Sequence, residues 1–340
     1  MTITLIPGFR SLTARMCLVL LLALGIGPRM AAEQCANATE MDAASRSAIE
    51  RAALQLFDGL SKNNAAAVQQ NSIASLAANF AGLQNAMAQN QPVLTGAQAT
   101  VRTTYLLDTG GSGTIEHAEF LCGIWGTPHF VSFAIPNLPA GKYGLVIEDV
   151  KSSKGPYYLS LILQQEQPSG AWKLAGWPPP APAELQGHDA PWYLTKAREF
   201  KSKGQVHNAW FYYQQAKILA QPVAFMTTTP LVKLDREVQQ AQPADIPGKN
   251  PVVLAASNGK TYNLTQMFPV AEQNGMDLVV KYSSTDLSDT AKTFQDNMAV
   301  ISAVVGKYPE FREIFQGVVA RAVDPAGHDY GTLLAMKDVK

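Results

Sequence analysis

Three consecutive prolines at positions 178–180, with a fourth at 182, interrupt this 340-residue chain near its middle. Proline lacks an amide hydrogen and has a fixed φ, so Trp177-Pro178-Pro179-Pro180-Ala181-Pro182 continues neither a helix nor a central strand. A second run, from Gln242-Pro243 through Pro247 to Pro251, acts the same way. Both read as stiff connectors. They divide the chain into units at 40–178, 183–242 and 250–340. The length allows two or three domains, and an apolar fraction of 47% is too high for a disordered chain.

Residues 16–27 form an uncharged apolar run preceded by Arg10 and Arg15 and followed by the small Ala31 and Ala32. This is the order of a secretory signal peptide over residues 1–32, with cleavage near Ala32. The run is well short of the ~20 residues that span a bilayer as a helix, and no later segment is long and apolar enough to do so. The expected location is therefore periplasmic or extracellular, with no transmembrane span after cleavage. The leader holds three arginines and no acid, so its loss leaves 24 basic against 27 acidic groups. A slightly acidic protein without runs of Lys and Arg argues against nucleic acid as a partner.

Cys17 leaves with the leader, and Cys35 and Cys122 remain. In an oxidising compartment the two can form a disulfide. The alternatives are Cys122 as a small buried apolar residue and lipid attachment at Cys35. Ala32-Glu33-Gln34 is unlike the small apolar triplet that precedes a lipidated cysteine.

In the first unit, Ile49, Ala53, Leu56, Phe57 and Leu60 recur at helical spacing between Met41 and Lys62. Helices are also expected over Ala65–Gln70 and over Leu76–Gln89, the latter with Phe80, Leu83 and Met87 on one side. From Ala97 the period becomes two. Val101, Thr103, Tyr105 and Leu107 alternate with their neighbours, Gly110-Gly111-Ser112-Gly113 turns the chain, and Ile115–Ile124 is expected to run back as a hairpin. Further strands follow at Phe130–Ile135, Lys142–Val150, Tyr157–Gln165 and Ala171–Trp177. Helices followed by hairpins predict an α+β fold, with helices packed on a curved antiparallel sheet.

The strand pair Tyr157–Leu163 and Gly170–Trp177, the second carrying Trp172-Lys173-Leu174, resembles the end of the cone-shaped fold typified by nuclear transport factor two. That resemblance implies a pocket on the concave sheet face of the first domain. Leu138-Pro139-Ala140-Gly141-Lys142-Tyr143 is similar instead to a hairpin of small exported sandwich domains, which would make 97–178 all-β.

The second unit is helical. Tyr193, Ala197 and Phe200 face together, Gly204 breaks the segment, and Asn208 is placed to cap a helix carrying Ala209, Tyr213 and Ala216. Residues 191–222 resemble a single tetratricopeptide-type hairpin, expected to pack on the first domain with a third helix carrying Leu231, Leu234 and Val238. The third unit is a small α+β domain. It has a hairpin about Asn258-Gly259, a strand at Leu278–Tyr282, a helix capped by Ser288 that buries Phe294, Met298, Ile301 and Val305, a second helix from Pro309 through Ala322, and a closing strand from Tyr330.

His117, Glu119, Cys122 and His129 are the most suggestive chemical cluster. His-x-Glu belongs to the zinc deaminase signature, but the required Pro-Cys-x-x-Cys is missing. Strand parity also sends Cys122 to the face opposite His117 and Glu119, so no metal site is expected there. His117 and Glu119, with Tyr105, could line a pocket in which the carboxylate orients the imidazole for acid/base work. An exposed cross-strand pair has the same appearance in sequence. The glycines at 110–113 precede a strand and offer no helix N-terminus for phosphate. There is neither a Gly-x-Ser-x-Gly elbow nor a His-Glu-x-x-His motif. No cofactor is expected.

These features predict an exported cell-envelope binding or scaffolding protein without catalytic activity. Its partner would be an envelope protein or a small ligand. The alternative is a small-molecule hydrolase or isomerase using Tyr105, His117 and Glu119. A partner surface at Trp192 and Tyr193 is a third possibility.

Overall fold

The computed structural model describes residues 33–111, 113–272 and 275–340. The leader and cleavage site expected over residues 1–32 lie outside the described residues. The class is α+β; among the described strands every pair is antiparallel except one, and an isolated parallel bridge joins Ser72 to Leu174.

Helix α1 (Ala43–Ser61) starts where the Asp42 carboxylate accepts from the Ser45 amide at 2.8 Å, satisfying a free N–H of the first turn. Its stripe of Ile49, Ala53, Leu56 and Leu60 is buried. Asn64 caps α2 (Ala65–Gln70) in the same way. The helix expected over Leu76–Gln89 is two helices, α3 (Ala74–Ala78) and α4 (Ala81–Leu94). At the break, the Asn79 side chain donates to the Ser75 carbonyl at 3.2 Å, competing with the backbone bonds that would continue the helix.

These helices cover one face of a sheet built from β1 (Gln34–Asn37), β2 (Gln98–Asp108), β5 (Lys142–Ser152), β6 (Gly155–Gln165) and β7 (Trp172–Gly176), in that spatial order, with the short β8 (Ala181–Pro182) also paired to β6, while β9 (Glu184–Leu185) and β10 (His188–Asp189) pair with each other. Gly144 lets α1 come close, since a Cβ there would lie 2.7 Å from Ile49 Cγ2. Val146, Val150, Leu159, Leu161 and Leu163 complete this helix–sheet core.

The expected hairpin between β2 and 115–124 does not form. β2 already has β1 and β5 as neighbours. Thr109 is held by Gly141 through three bonds, at 2.9, 3.2 and 3.3 Å, so the chain leaves the sheet there. β3 (Ile115–Cys122) pairs instead with β4 (Val131–Leu138), and β11 (Met226–Thr228) pairs with β4 from the second unit. This three-stranded sheet packs on the face of the first sheet opposite the helices. Tyr105, Leu107, Tyr143, Leu145 and Ile147 meet Ala118, Phe120, Cys122 and Phe133 in a second core. The 139–141 turn is a corner between sheets rather than a hairpin, fastened by the Tyr143 hydroxyl donating to the Pro139 carbonyl at 2.8 Å.

In the second unit, α5 (Ala190–Ser202) and α6 (Val206–Ala220) pack through Ala197, Phe200, Ala209 and Tyr213. Gln205, not Asn208, precedes α6. Asn208 lies inside the helix and donates to the Glu310 carbonyl at 2.8 Å. Helix α7 (Thr229–Ala241) buries Leu231 and Leu234. Although β11 joins the first unit, the main apolar face of α5 and α6 shares one core with the C-terminal sheet. There Phe211 meets Phe311 and Phe315, with ring centroids 5.7 and 5.4 Å away.

That sheet runs β12 (Val252–Ala255), β13 (Thr261–Glu272), β14 (Gly275–Ser283), β15 (Phe315–Val323), β16 (Asp329–Ala335). Helix α8 (Thr290–Lys307) crosses between the parallel β14 and β15. The helix expected from Pro309 is one 3-10 turn, Pro309–Glu313, followed by β15. The β-branched Val318, Val319 and Val323 suit a strand enclosed by two neighbours. Asp289 rather than Ser288 caps α8. Its buried face includes Thr293, Asn297 and Val304, so Phe294 is left 46% exposed. Asn297 sets this rotation by accepting from the Tyr282 hydroxyl and donating to Thr332 and the Tyr330 carbonyl.

Candidate functional site

Cys35 on β1 and Cys122 at the end of β3 are joined in a disulfide, with Cα atoms 5.1 Å apart. The bond crosses from the edge of the first sheet to the second sheet. Immediately beyond it the β3–β4 connection projects into solvent. Gly123 turns the chain with φ +80°, and a Cβ there would press to 3.1 Å on the His129 carbonyl. Ile124 and Trp125 follow, 75% and 68% exposed. Thr127 braces the tip by donating to the Ile124 carbonyl at 2.7 Å, and its own carbonyl accepts from Thr229 of α7 at the same distance. The Trp125 ring stands edge-on to Phe130, 4.7 Å away.

Between this tip and the β1–α1 connection lies a cleft of about 750 Å³, walled by Asn37, Glu40, Thr103, Tyr105, Ile124 and His129 among others. Its outer wall is stiffened locally. Asn37 Oδ1 accepts from the amide and hydroxyl of Thr39 at 2.9 and 2.7 Å, and Glu40 accepts from the Asn37 amide at 2.9 Å. The walls combine apolar surface with a carboxylate and an imidazole, a composition suited to holding a ligand.

The structure does not bring Tyr105 together with His117 and Glu119. Tyr105 is buried between the sheets, edge-on to Phe133 at 4.9 Å, and only borders the cleft. His117 and Glu119 are exposed on the opposite side of β3, across from Pro136 and Ala134. Among the described residues neither side chain forms a hydrogen bond or ion pair, and only their backbones are engaged, in the β3–β4 ladder. Cys122 points inward, away from both. His129 borders the cleft. Tyr193 is buried, its hydroxyl donating to the Leu185 carbonyl at 3.2 Å, and Trp192 is stacked on His188 at 3.7 Å, so these two do not form an exposed aromatic pair.

A second cleft of about 550 Å³ lies where β2, β5 and β6 approach α5 and α6. Its Arg102 pairs with Asp149 at 3.1 Å and sits over the Tyr158 ring at 5.2 Å. Burial pushes the Tyr158 hydroxyl above the usual phenol range. Asp189 is occupied as the cap of α5. Among the described residues, no group of three or more His, Cys, Asp or Glu is placed to hold a metal ion, and no helix is long and apolar enough to cross a membrane. No family model, curated protein or solved structure matches the chain.

Sequence reasoning missed Ile124, Trp125 and Glu40. The signal for the first two was present: Gly123 and Gly126 bracket them, and apolar residues held in a glycine turn have no strand face on which to be buried.

Proposed function

We propose that this is an exported binding or scaffolding protein of the cell envelope, and that the cleft beside the disulfide receives its partner. The observation carrying this reading is the Ile124–Trp125 tip, two large apolar side chains set in solvent, of which Ile124 lines the cleft and Trp125 is its chain neighbour, beside the Cys35–Cys122 bond that ties β1 to β3. Scattered exposed apolar residues are ordinary, whereas an aromatic on a braced loop is the form that binding anchors take. The disulfide supports folding in an oxidising compartment. Nothing in the placement of His117 and Glu119 favours the hydrolase or isomerase reading.

The test places a photo-crosslinking amino acid at Trp125 and, as a control, at Leu333 on the distant C-terminal sheet, in cells producing the full chain. A discrete adduct from position 125 that is absent from position 333 is expected. Equal labelling at both positions would contradict the proposal. So would turnover on a hydrolase panel that disappears in His117→Ala.

A further inference from the structure

We propose that the outer edge of the C-terminal sheet is a self-pairing surface, through which two copies of this chain join β16 to β16 in antiparallel register. β16 ends the sheet, and among the described residues no strand pairs with its far side. Such an edge offers a row of amides and carbonyls to any extended chain, and proteins blunt it with shortness, charge, proline or a bulge. The outer strands of the other sheets, and β12 of this one, carry those devices. β1 and β12 are four residues long, β12 directly follows Pro251, and β11 has three residues. β7 carries Lys173 and a shift in register, and β3 carries Glu116 and Glu119. β16 has seven residues with neither proline nor lysine, and its ladder with β15 runs without a shift.

The side chains decide what can pair there. Thr332 faces α8, where it bonds Asn297, so by strand parity Tyr330 and Leu334 lie on that face too. Asp329, Gly331, Leu333 and Ala335 share the open face. Leu333 is 60% exposed there. Across the ladders its register partners are Val319, then Val279, then Phe268, an apolar row that runs to the edge and stops at Leu333. Gly331 leaves a gap beside it, since a Cβ would meet nothing closer than the Arg321 stem at 3.6 Å.

An antiparallel pair about a two-fold axis at Thr332 is the register that uses all seven residues. It sets Leu333 opposite Gly331 of the second copy, so each leucine enters the other's gap and the two leucines meet on the diagonal. Tyr330 then faces Leu334, and Asp329 faces Ala335. No like charges are opposed, because Asp329 is the strand's only charged residue and is paired with Arg321 at 2.7 Å. A strand pair of this length is a small interface, which implies reversible association in the micromolar range.

Sedimentation of the full chain over about 1 to 100 µM tests the proposal. The average mass should rise from one chain toward two and no further. Leu333→Lys brings two ammonium groups together across the axis and should weaken association about tenfold or more, with an unchanged melting transition because the side chain is exposed. Val253→Lys, 62% exposed on the opposite outer strand, should associate as the wild type does. Hydrogen exchange should slow with concentration over 329–335 and not over 252–255. A single-chain mass throughout, or undiminished association of Leu333→Lys, would overturn the proposal. So would growth beyond two chains that Val253→Lys abolishes, which would mean that β12 pairs with β16 in an open series. A cross-linker at position 333 would join two copies, a product distinct from the adduct expected at position 125, so this proposal and the reading of the tip fail separately.

Discussion

Glu148 shares its face of β5 with Val146 and Val150, under the helices, and neither of its carboxyl oxygens has a partner there. Burial alone pushes its pKa up to about 8 from the usual 4.5. A carboxyl that binds its proton more tightly when folded supports the fold fully below the unfolded value and loses that support as pH rises. At ~1.4 kcal/mol per pH unit, stability should decline by several kcal/mol between pH 4.5 and about 8. Urea titrations of Glu148→Gln should show a flatter pH dependence over that window; an unchanged slope would mean that water reaches the carboxyl. Alternation in sequence correctly separated Cys122 from His117 and Glu119, because side chains on a strand change face at every residue. It could not reveal that Tyr105 lies on the buried side, since parity within one strand says nothing of which sheet stands opposite another.

Among the elements, β1 depends most on a single bond. Four residues long and at the edge of its sheet, it is tied through Cys35 to Cys122, 87 residues away. Closing a loop of that size limits the unfolded chain by ~4.5 kcal/mol in the entropy model. A Cys35→Ser/Cys122→Ser double variant should therefore lose roughly 2–5 kcal/mol in denaturant melts. It should also become sensitive to protease at 33–40, where the cleft wall begins. Wild-type stability and protease resistance would show that β1 is held by its backbone ladder alone. Helix α1 was legible from the spacing of its apolar residues, α2 was expected at its place, and the Asn258-Gly259 hairpin was legible from its turn residues, whereas the Asp42 and Asn64 caps were not foreseen. β15 was misread because Phe311, Phe315, Val318, Val319 and Ala322 fit helical spacing; the strand does alternate, burying Val318, Ala320 and Ala322 between the half-buried Val319, Arg321 and Val323, but apolar valines on the half-buried side blur that period in the sequence. The β2–β3 hairpin failed for a different reason: local turn residues do not specify which strand will be the neighbour.

At the scale of the whole molecule, the proline connectors are not bare spacers. Ala181–Pro182 pairs with β6, and Ile246 is buried in the core shared by the helices and the C-terminal sheet. Residues 183–340 should accordingly melt as one cooperative unit, whereas 250–340 alone, deprived of Phe211 against Phe311 and Phe315, should not. A sharp calorimetric transition from the shorter fragment would show that the sheet is self-sufficient. This sharing was illegible in sequence because the apolar face of an amphipathic helix does not name its partner. The candidate cleft was partly legible, through Tyr105 and His129, while its lip at Ile124 and Trp125 became visible only once β3 and β4 were paired.

Beneath the functional reading lies the view that this polypeptide acquires its shape in an oxidising space after shedding a greasy leader. Mass analysis of the native protein from fractionated cells, alkylated before any reduction, addresses that most directly. A species beginning near Glu33, outside the cytosol, with neither Cys35 nor Cys122 alkylated, is what the account predicts. Recovery from the cell interior of a chain that still starts at Met1, with both thiols labelled, would contradict it.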